Sequence, residues 1–252
     1  MKKPIRTLPS LPVCPFSAHE ILSHEFWEEA TPEKVYETFV WQDMLEGRDY
    51  HTQNSPLHIA IRHCKNVGAI EALLELGHRL EVFGQYDASP LVIAAGRSSL
   101  AVIQLLIDYG ANINSSDKNL QDPLMYAALA NTVEVVELLL RSGAAVNSRD
   151  KWRGNPLQFA ASREDGFEIV KLLVENGADV NFCGRHERTP LIESLMVRPN
   201  YASADYLLKA GARTGPSDDN SKTAYEYARQ HGNCPPELLA ALKPWAFKSG
   251  LP

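Results

Sequence analysis

The sequence predicts an all-α fold, a solenoid of stacked helix-turn-helix units joined by β-hairpin-like loops, and three observations predict it. Six related segments, SPLHIAI at 55, SPLVIAA at 89, DPLMYAA at 122, NPLQFAA at 155, TPLIESL at 189 and TAYEYA at 223, recur at intervals of 34, 33, 33, 34 and 34 residues. After each of the first five comes an apolar pair and then a glycine, as in Leu73-Leu74 before Gly77 and Leu139-Leu140 before Gly143. The chain also restates its loops, with GANINSSD from Gly110 and GAAVNSRD from Gly143. One such block is too small to bury its own apolar face, so neighbours must stack and share a core.

The elements follow in chain order. Residues 1–16, MKKPIRTLPSLPVCPF, start basic like a leader, but prolines at 4, 9, 12 and 15 break any apolar run, and the segment reads as a flexible arm. Residues 17–54 read as a degenerate opening block or helical cap, with Thr31 as N-cap and Pro32 at the first helical position. Glu20, Glu25, Glu28, Glu29, Glu33 and Glu37 would give it a polar outer face. In residues 55–222, Ser, Asp, Asn or Thr before each proline caps a first helix, and proline at the first turn loses no hydrogen bond. Small pairs such as Ala94-Ala95 let first helices lie close together. Second helices carry apolar residues at helical spacing, as in Val133, Val136, Leu139 and Leu140, and stop where glycine takes a left-handed conformation. An extra residue between the two helices in HCKNVGA, SREDGFE and MVRPNYA predicts turns that project. Residues 223–252 read as a closing repeat and tail, with Lys243-Pro244 as the stop.

The TPLH-type prolines, the Leu-Leu pairs and the GADVN endings resemble the ankyrin repeat over residues 55 to 228, and the opening segment resembles the N-terminal cap of many bacterial ankyrin proteins. The resemblance implies a protein-binding module whose hairpin tips and first helices form a concave surface. It implies that His58 hydrogen-bonds between neighbouring loops, and that Asn114, Asn147 and Asn181 hold hairpin backbone, a position that asparaginyl hydroxylases modify in animal cells. His78-Arg79-Leu80-Glu81 departs from the usual ending, and Glu193-Ser194 from the usual alanines, so those blocks are expected to pack less well.

Little else points to chemistry. The net charge of −6 argues against bulk nucleic-acid binding, and no run approaches the roughly 18 apolar residues of a membrane span. Cys14, Cys64, Cys183 and Cys234 form no C-x-x-C pair, which favours a reducing, cytoplasmic setting over disulfides or a zinc site. His63, His186 and His231 fall at surface positions without a partner nucleophile, and no paired-carboxylate or H-E-x-x-H pattern occurs. Gly84 and Gly154 read as turn residues. No catalytic residue, metal or cofactor is expected.

The informative side chains are those the repeat does not need. Tip positions carry Tyr86, Lys118, Lys151, Trp152, Arg153, Arg185 and His186. The positions after the alanine pairs carry Arg62, Arg97, Leu129 and Arg163. Tyr86, Arg97, Trp152, Arg153, Arg163, Arg185 and Arg188 are the candidate binding residues, because exposed aromatics and arginines anchor interfaces. A basic stripe broken by Asp87, Asp117, Asp122, Asp150 and Glu187 suits a partner with an acidic, partly apolar segment. The expected protein is a monomeric adaptor, inhibitor or antitoxin-like protein, with a secreted bacterial effector that binds a host protein as the alternative.

Overall fold

The computed structural model describes residues 21, 23–38 and 53–243. The arm at 1–16, Cys14, residues 39–52 and the tail from Pro244 lie outside them. Among the described residues there are fourteen α-helices and no strand, which is the all-helical architecture expected. The chain divides into two compact units, Met1–Ala144 and Ala145–Pro252, here unit 1 and unit 2.

Unit 1 opens with α1 (His24–Glu28) and α2 (Pro32–Thr38). Three helix pairs follow: α3 (Pro56–His63) with α4 (Val67–Glu75), α5 (Pro90–Ala95) with α6 (Leu100–Asp108), and α7 (Pro123–Ala130) with α8 (Val133–Arg141). Unit 2 holds α9 (Pro156–Ala161) with α10 (Phe167–Glu175), α11 (Pro190–Met196) with α12 (Tyr201–Lys209), and α13 (Ala224–His231) with α14 (Pro236–Leu242).

Local chemistry sets the helix boundaries. Ser89, Asp122, Asn155 and Thr189 each accept a hydrogen bond from the amide three residues on, ahead of Pro90, Pro123, Pro156 and Pro190. Ser55 and Thr223 use reciprocal capping with His58 and Glu226. Second helices end at Gly77, Gly110, Gly143, Gly177 and Gly211, all with φ between 87° and 93°. The next amide turns back to the helix, as in His78 N–H to Leu73 O and Ala144 N–H to Leu139 O, so the left-handed residue satisfies carbonyls that helix ends leave open.

Packing follows the two stripes. In unit 1 the first helices α1, α3, α5 and α7 pack in sequence, as do α2, α4, α6 and α8; in unit 2 the series are α9, α11, α13 and α10, α12, α14. Leu57, Leu91, Leu124, Leu157 and Leu191 are buried under the first helices, and Ile70, Ile103, Val136, Val170 and Leu207 under the second. The stripe on α8 runs through Val135, Val136 and Leu139, while Val133 and Leu140 are only half-buried. The opening pair is well anchored: Trp27 is fully buried with its Nε1–H on Ile21 O at 2.8 Å, and the Tyr36 hydroxyl bonds the Glu75 carboxylate.

The inter-helix turns with an extra residue expose their middles, at Glu164, Asp165, Val197 and Arg198, and bury their ends. A Cβ on Gly166, which ends the turn at 162–166, would lie 2.0 Å from Ala160 O, and Asn200, which ends the turn at 197–200, is buried. Ser194 also packs well, fully buried with its hydroxyl on Leu191 O at 2.8 Å.

Candidate functional site

The candidate site is a set of hairpin tips, and two constructions make them. In the tips at 117–121, 150–154 and 218–222, an aspartate opens the loop and one of its oxygens accepts two loop amides. Asp117 takes those of Asn119 and Gln121 at 2.8 and 2.9 Å, Asp150 those of Trp152 and Gly154 at 2.9 and 2.6 Å, and Asp218 those of Asn220 and Lys222, each at 3.0 Å. One residue in each is left-handed: Leu120, Arg153 and Ser221.

The tips at 84–88 and 184–188 open with glycine instead. Each contains two consecutive left-handed residues, Tyr86 and Asp87 (φ 64° and 55°) or His186 and Glu187 (φ 57° and 54°). Such conformations cost roughly 1–3 kcal/mol each in a bulky residue and persist only where the surroundings hold them. What holds them comes from the preceding block. His58 donates Nε2–H to Ala88 O at 3.0 Å while its Nδ1 accepts from Ser55 N–H, which fixes the tautomer. Gln158 donates to Arg188 O at 2.7 Å. A Cβ on Gly184 would sit 2.1 Å from Gln158 Oε1, and one on Gly84 would sit 2.5 Å from Asn54 Oδ1.

In unit 1, Tyr86 stands 55% exposed with Lys118 Nζ 4.4 Å from its ring centroid, and its carbonyl accepts the Lys118 amide at 2.8 Å. Arg97 is exposed just beyond α5, with no acidic group within 4.0 Å among the described residues. Tyr126 covers Gly96 and donates its hydroxyl to Asp117 at 3.0 Å. Burial and that carboxylate push its phenol up to about 12. Leu129, at 43% exposure, adds apolar surface at the position the sequence marked, and Leu120, at 55%, adds more at a place the sequence reading passed over.

In unit 2, Trp152 is 42% exposed, and the Arg185 guanidinium lies 5.6 Å from its ring centroid. The ring is therefore both accessible and braced by the next hairpin. Arg185 also donates Nε–H to His186 Nε2, whose Nδ1–H reaches Asp219 at 3.1 Å. The other arginines are not free cations of a stripe. Arg153 faces Glu187 at 3.6 Å, Arg163 grips Asp165 with two bonds of 2.8 Å, and Arg188 lies between Glu193 at 3.8 Å and Asp218 at 3.9 Å. A charge already paired in its own chain has less to offer a partner.

Catalytic chemistry finds no support in these groups. Cys183 donates to Glu187, and burial with that carboxylate pushes its thiol up to about 11, so it stays protonated at neutral pH. His63 and His186 are exposed as expected, but His231 is half-buried with Nε2–H on Leu195 O at 2.9 Å, a bond between helices. No metal-binding cluster, and no helix long and apolar enough to cross a membrane, occurs among the described residues.

Bridges between blocks account for other polar residues. Asn114, Asn147 and Asn181 donate to Gly143, Gly177 and Gly211 carbonyls one block on, so they tie neighbours together and do not merely brace their own loops. Asn147 and Asn181 also accept the Asp179 and Arg213 amides, and Glu81, the departure in the first block, does the same for Asn112 N–H at 2.9 Å. Asn131 donates to Ala95 O and Ser98 O, and Asn200 to Arg163 O and Glu164 O, closing the inter-helix turns. Nothing in the sequence reading marked Asn131 or Asn200. Their signal was an asparagine at the start of a second helix in two different blocks.

Comparison with known proteins agrees with this geometry. No curated protein matches the chain. The family model described as ankyrin repeats (3 copies) matches twice, over residues 57–150 and 124–218. Those stretches take in every proline-led block and glycine-terminated helix from Leu57 to Asp218, and the chain belongs to the ankyrin repeat family.

Proposed function

We propose that this chain is a non-catalytic binding module that holds a protein partner on its hairpin tips and the adjoining ends of its first helices. Ankyrin repeats are generally protein–protein interaction modules. The observation that carries the reading is the exposure of Trp152 and Tyr86 on tips whose backbones are pinned by hydrogen bonds. Large aromatics kept out of the core on rigid supports, each with a cation against its ring, are what interface hot spots are made of. The finer role is that of an adaptor, inhibitor or antitoxin-like protein acting as a monomer in a reducing cytoplasm. The free thiols of Cys64, Cys183 and Cys234, each shifted upward by burial, are consistent with that setting.

Site-specific photo-crosslinking in the native cell tests the reading. A crosslinker at Lys151, beside Trp152, is expected to trap a protein that one at Glu168 on a second helix does not. Trp152→Ala is expected to weaken that protein's binding by about 2 kcal/mol or more. Equal yields from both positions, or a complex indifferent to Trp152→Ala, would refute it.

A further inference from the structure

Three arginines at the tips and first-helix ends of unit 2 are ion-paired, and two at the first-helix ends of unit 1 are not. In unit 2, Arg153, Arg163 and Arg188 each have a carboxylate of their own chain within 4.0 Å. In unit 1, Arg62 and Arg97 have none among the described residues, although the sequence contains 31 acidic residues. Arg62 Nη1 reaches only the neutral Gln85 Oε1, at 3.4 Å, and its Nε is buried without an acceptor.

The fold brings these cations together. Arg62 lies in the last turn of α3 and Arg97 just past the end of α5, and the two helices pack side by side. Burial and then the Arg97 charge hold the Arg62 guanidinium below its usual range. His63 is lowered too, by burial first and then by His24, Arg62 and Arg97, against a single opposing acid, Glu28. Helix C-termini favour cations by roughly 0.3–1 kcal/mol, which helps to hold two there but leaves their mutual repulsion standing. A bridging anion removes that repulsion.

The surroundings narrow the anion. Tyr86 follows Gln85, the residue that Arg62 reaches, and Tyr126 lies against Gly96, directly before Arg97. Leu129 is exposed at the end of the next first helix, α7. An occupant must therefore set an anionic group among aromatic and aliphatic carbon. The net charge of −6 works against polyanions such as nucleic acid or an anionic membrane, and a carboxylate matches two guanidiniums with one charge.

We propose that Arg62 and Arg97 form the carboxylate-accepting site of unit 1, which takes an Asp or Glu side chain from an extended acidic segment of a partner protein, with flanking apolar residues on Tyr86 and Tyr126. This rests on the binding-module reading above and deepens it by naming the charge pair that selects the segment.

The test is a selection of random displayed peptides on the full chain, followed by affinity measurements with the synthetic winners. The winners are expected to carry Asp or Glu beside apolar residues, to bind about tenfold or more weakly to Arg97→Gln and to Arg62→Gln, and to lose less than about twofold to Arg141→Gln on the second helix α8. Replacing their carboxylates by amides abolishes binding. Arg97→Gln is the deciding variant because its side chain is exposed; Arg62→Lys, which keeps charge and packing, checks that any loss at Arg62 is not misfolding. Winners without acidic residues, no winners, equal losses from Arg141→Gln, or recovery only when phosphoserine replaces the acid would each overturn the proposal. A partner that crosslinks at Lys151 while selected peptides ignore Arg97 would sink this site and leave the binding-module reading intact.

Discussion

The tips at 84–88 and 184–188 are held from the block before them, whereas those at 117–121, 150–154 and 218–222 are held by their own aspartate. The difference tracks one position in the sequence, the residue two beyond each helix-opening proline. Where it is polar, His58 or Gln158, the next tip opens with Gly84 or Gly184. Where it is apolar, Val92, Met125 or Ile192, the next tip opens with Asp117, Asp150 or Asp218. A tip needs its loop amides and its closing carbonyl organised, and either neighbour or self can do so. The two solutions exclude each other because the polar side chain lies where a Cβ would be. The choice also shapes the surface, since neighbour-held tips carry paired left-handed residues and present Tyr86 or His186 outward.

The largest effect expected from breaking this rule is at Gly184. Gly184→Asp should destabilise the protein by about 3 kcal/mol in urea unfolding, because its Cβ would overlap the Gln158 amide. Adding Gln158→Met should recover most of the loss, as the aspartate then anchors its own loop. A neutral Gly184→Asp, or a double variant no better than the single, breaks the comparison.

Next is the reverse case. Asp150→Ala removes a buried acceptor from two amides and should cost about 2 kcal/mol in the same assay. It should also loosen Trp152, visible as a red shift and faster quenching of its fluorescence. Asp87→Ala, in a tip that its predecessor holds, should cost far less.

Smaller still is the stability effect of Trp152→Ala. With the ring 42% exposed and Arg185 its one cation, the loss in melting experiments should stay under about 1 kcal/mol, while partner binding falls much further. A variant that melts early and binds normally would make Trp152 a packing residue.

The smallest effect is one of pH. Glu193 takes a place held by Ile59, Ile93, Tyr126 and Phe159 in earlier first helices, so that Ser194 and not Glu193 replaces an alanine, and burial lifts the Glu193 carboxyl above the ordinary range despite the nearby Arg188. A raised value means the folded state holds the proton more tightly, so stability contributed by the neutral acid is lost as pH rises through the raised value. Glu193→Gln should therefore melt slightly higher than wild type near neutral pH, with the gain closing below about pH 4, where both folded and unfolded states are protonated. A constant difference across that range would show that Arg188 compensates fully.

The opening pair α1–α2 packs on α3 and α4 in the manner of a preceding block, which supports our proposal that residues 17–54 cap the stack. Deleting residues 17–47 should then expose Leu57 and Ile70 and promote aggregation, measurable by light scattering.

The sequence by itself determined the helices, their starts and their stops. Ser89 before Pro90, Asp122 before Pro123 and Gly143 after Leu139-Leu140 act through bonds a few residues long, so they are written in local order. It also determined that Trp152 and Tyr86 stand at tips, since the repeat fixes what faces out. Only the tertiary structure decided which arginines are spent and which are free. Arg153 with Glu187, Arg188 with Asp218, Asn131 with Ala95 and His231 with Leu195 all meet across a gap of about one block. Those pairings depend on how helices stack and on rotamers chosen after stacking. Charges that look alike in a stripe of sequence thus end paired at Arg153, Arg163 and Arg188 and without a carboxylate within 4.0 Å, among the described residues, at Arg62, Arg97 and Arg185, because Coulomb energy and desolvation depend on distance and burial in space.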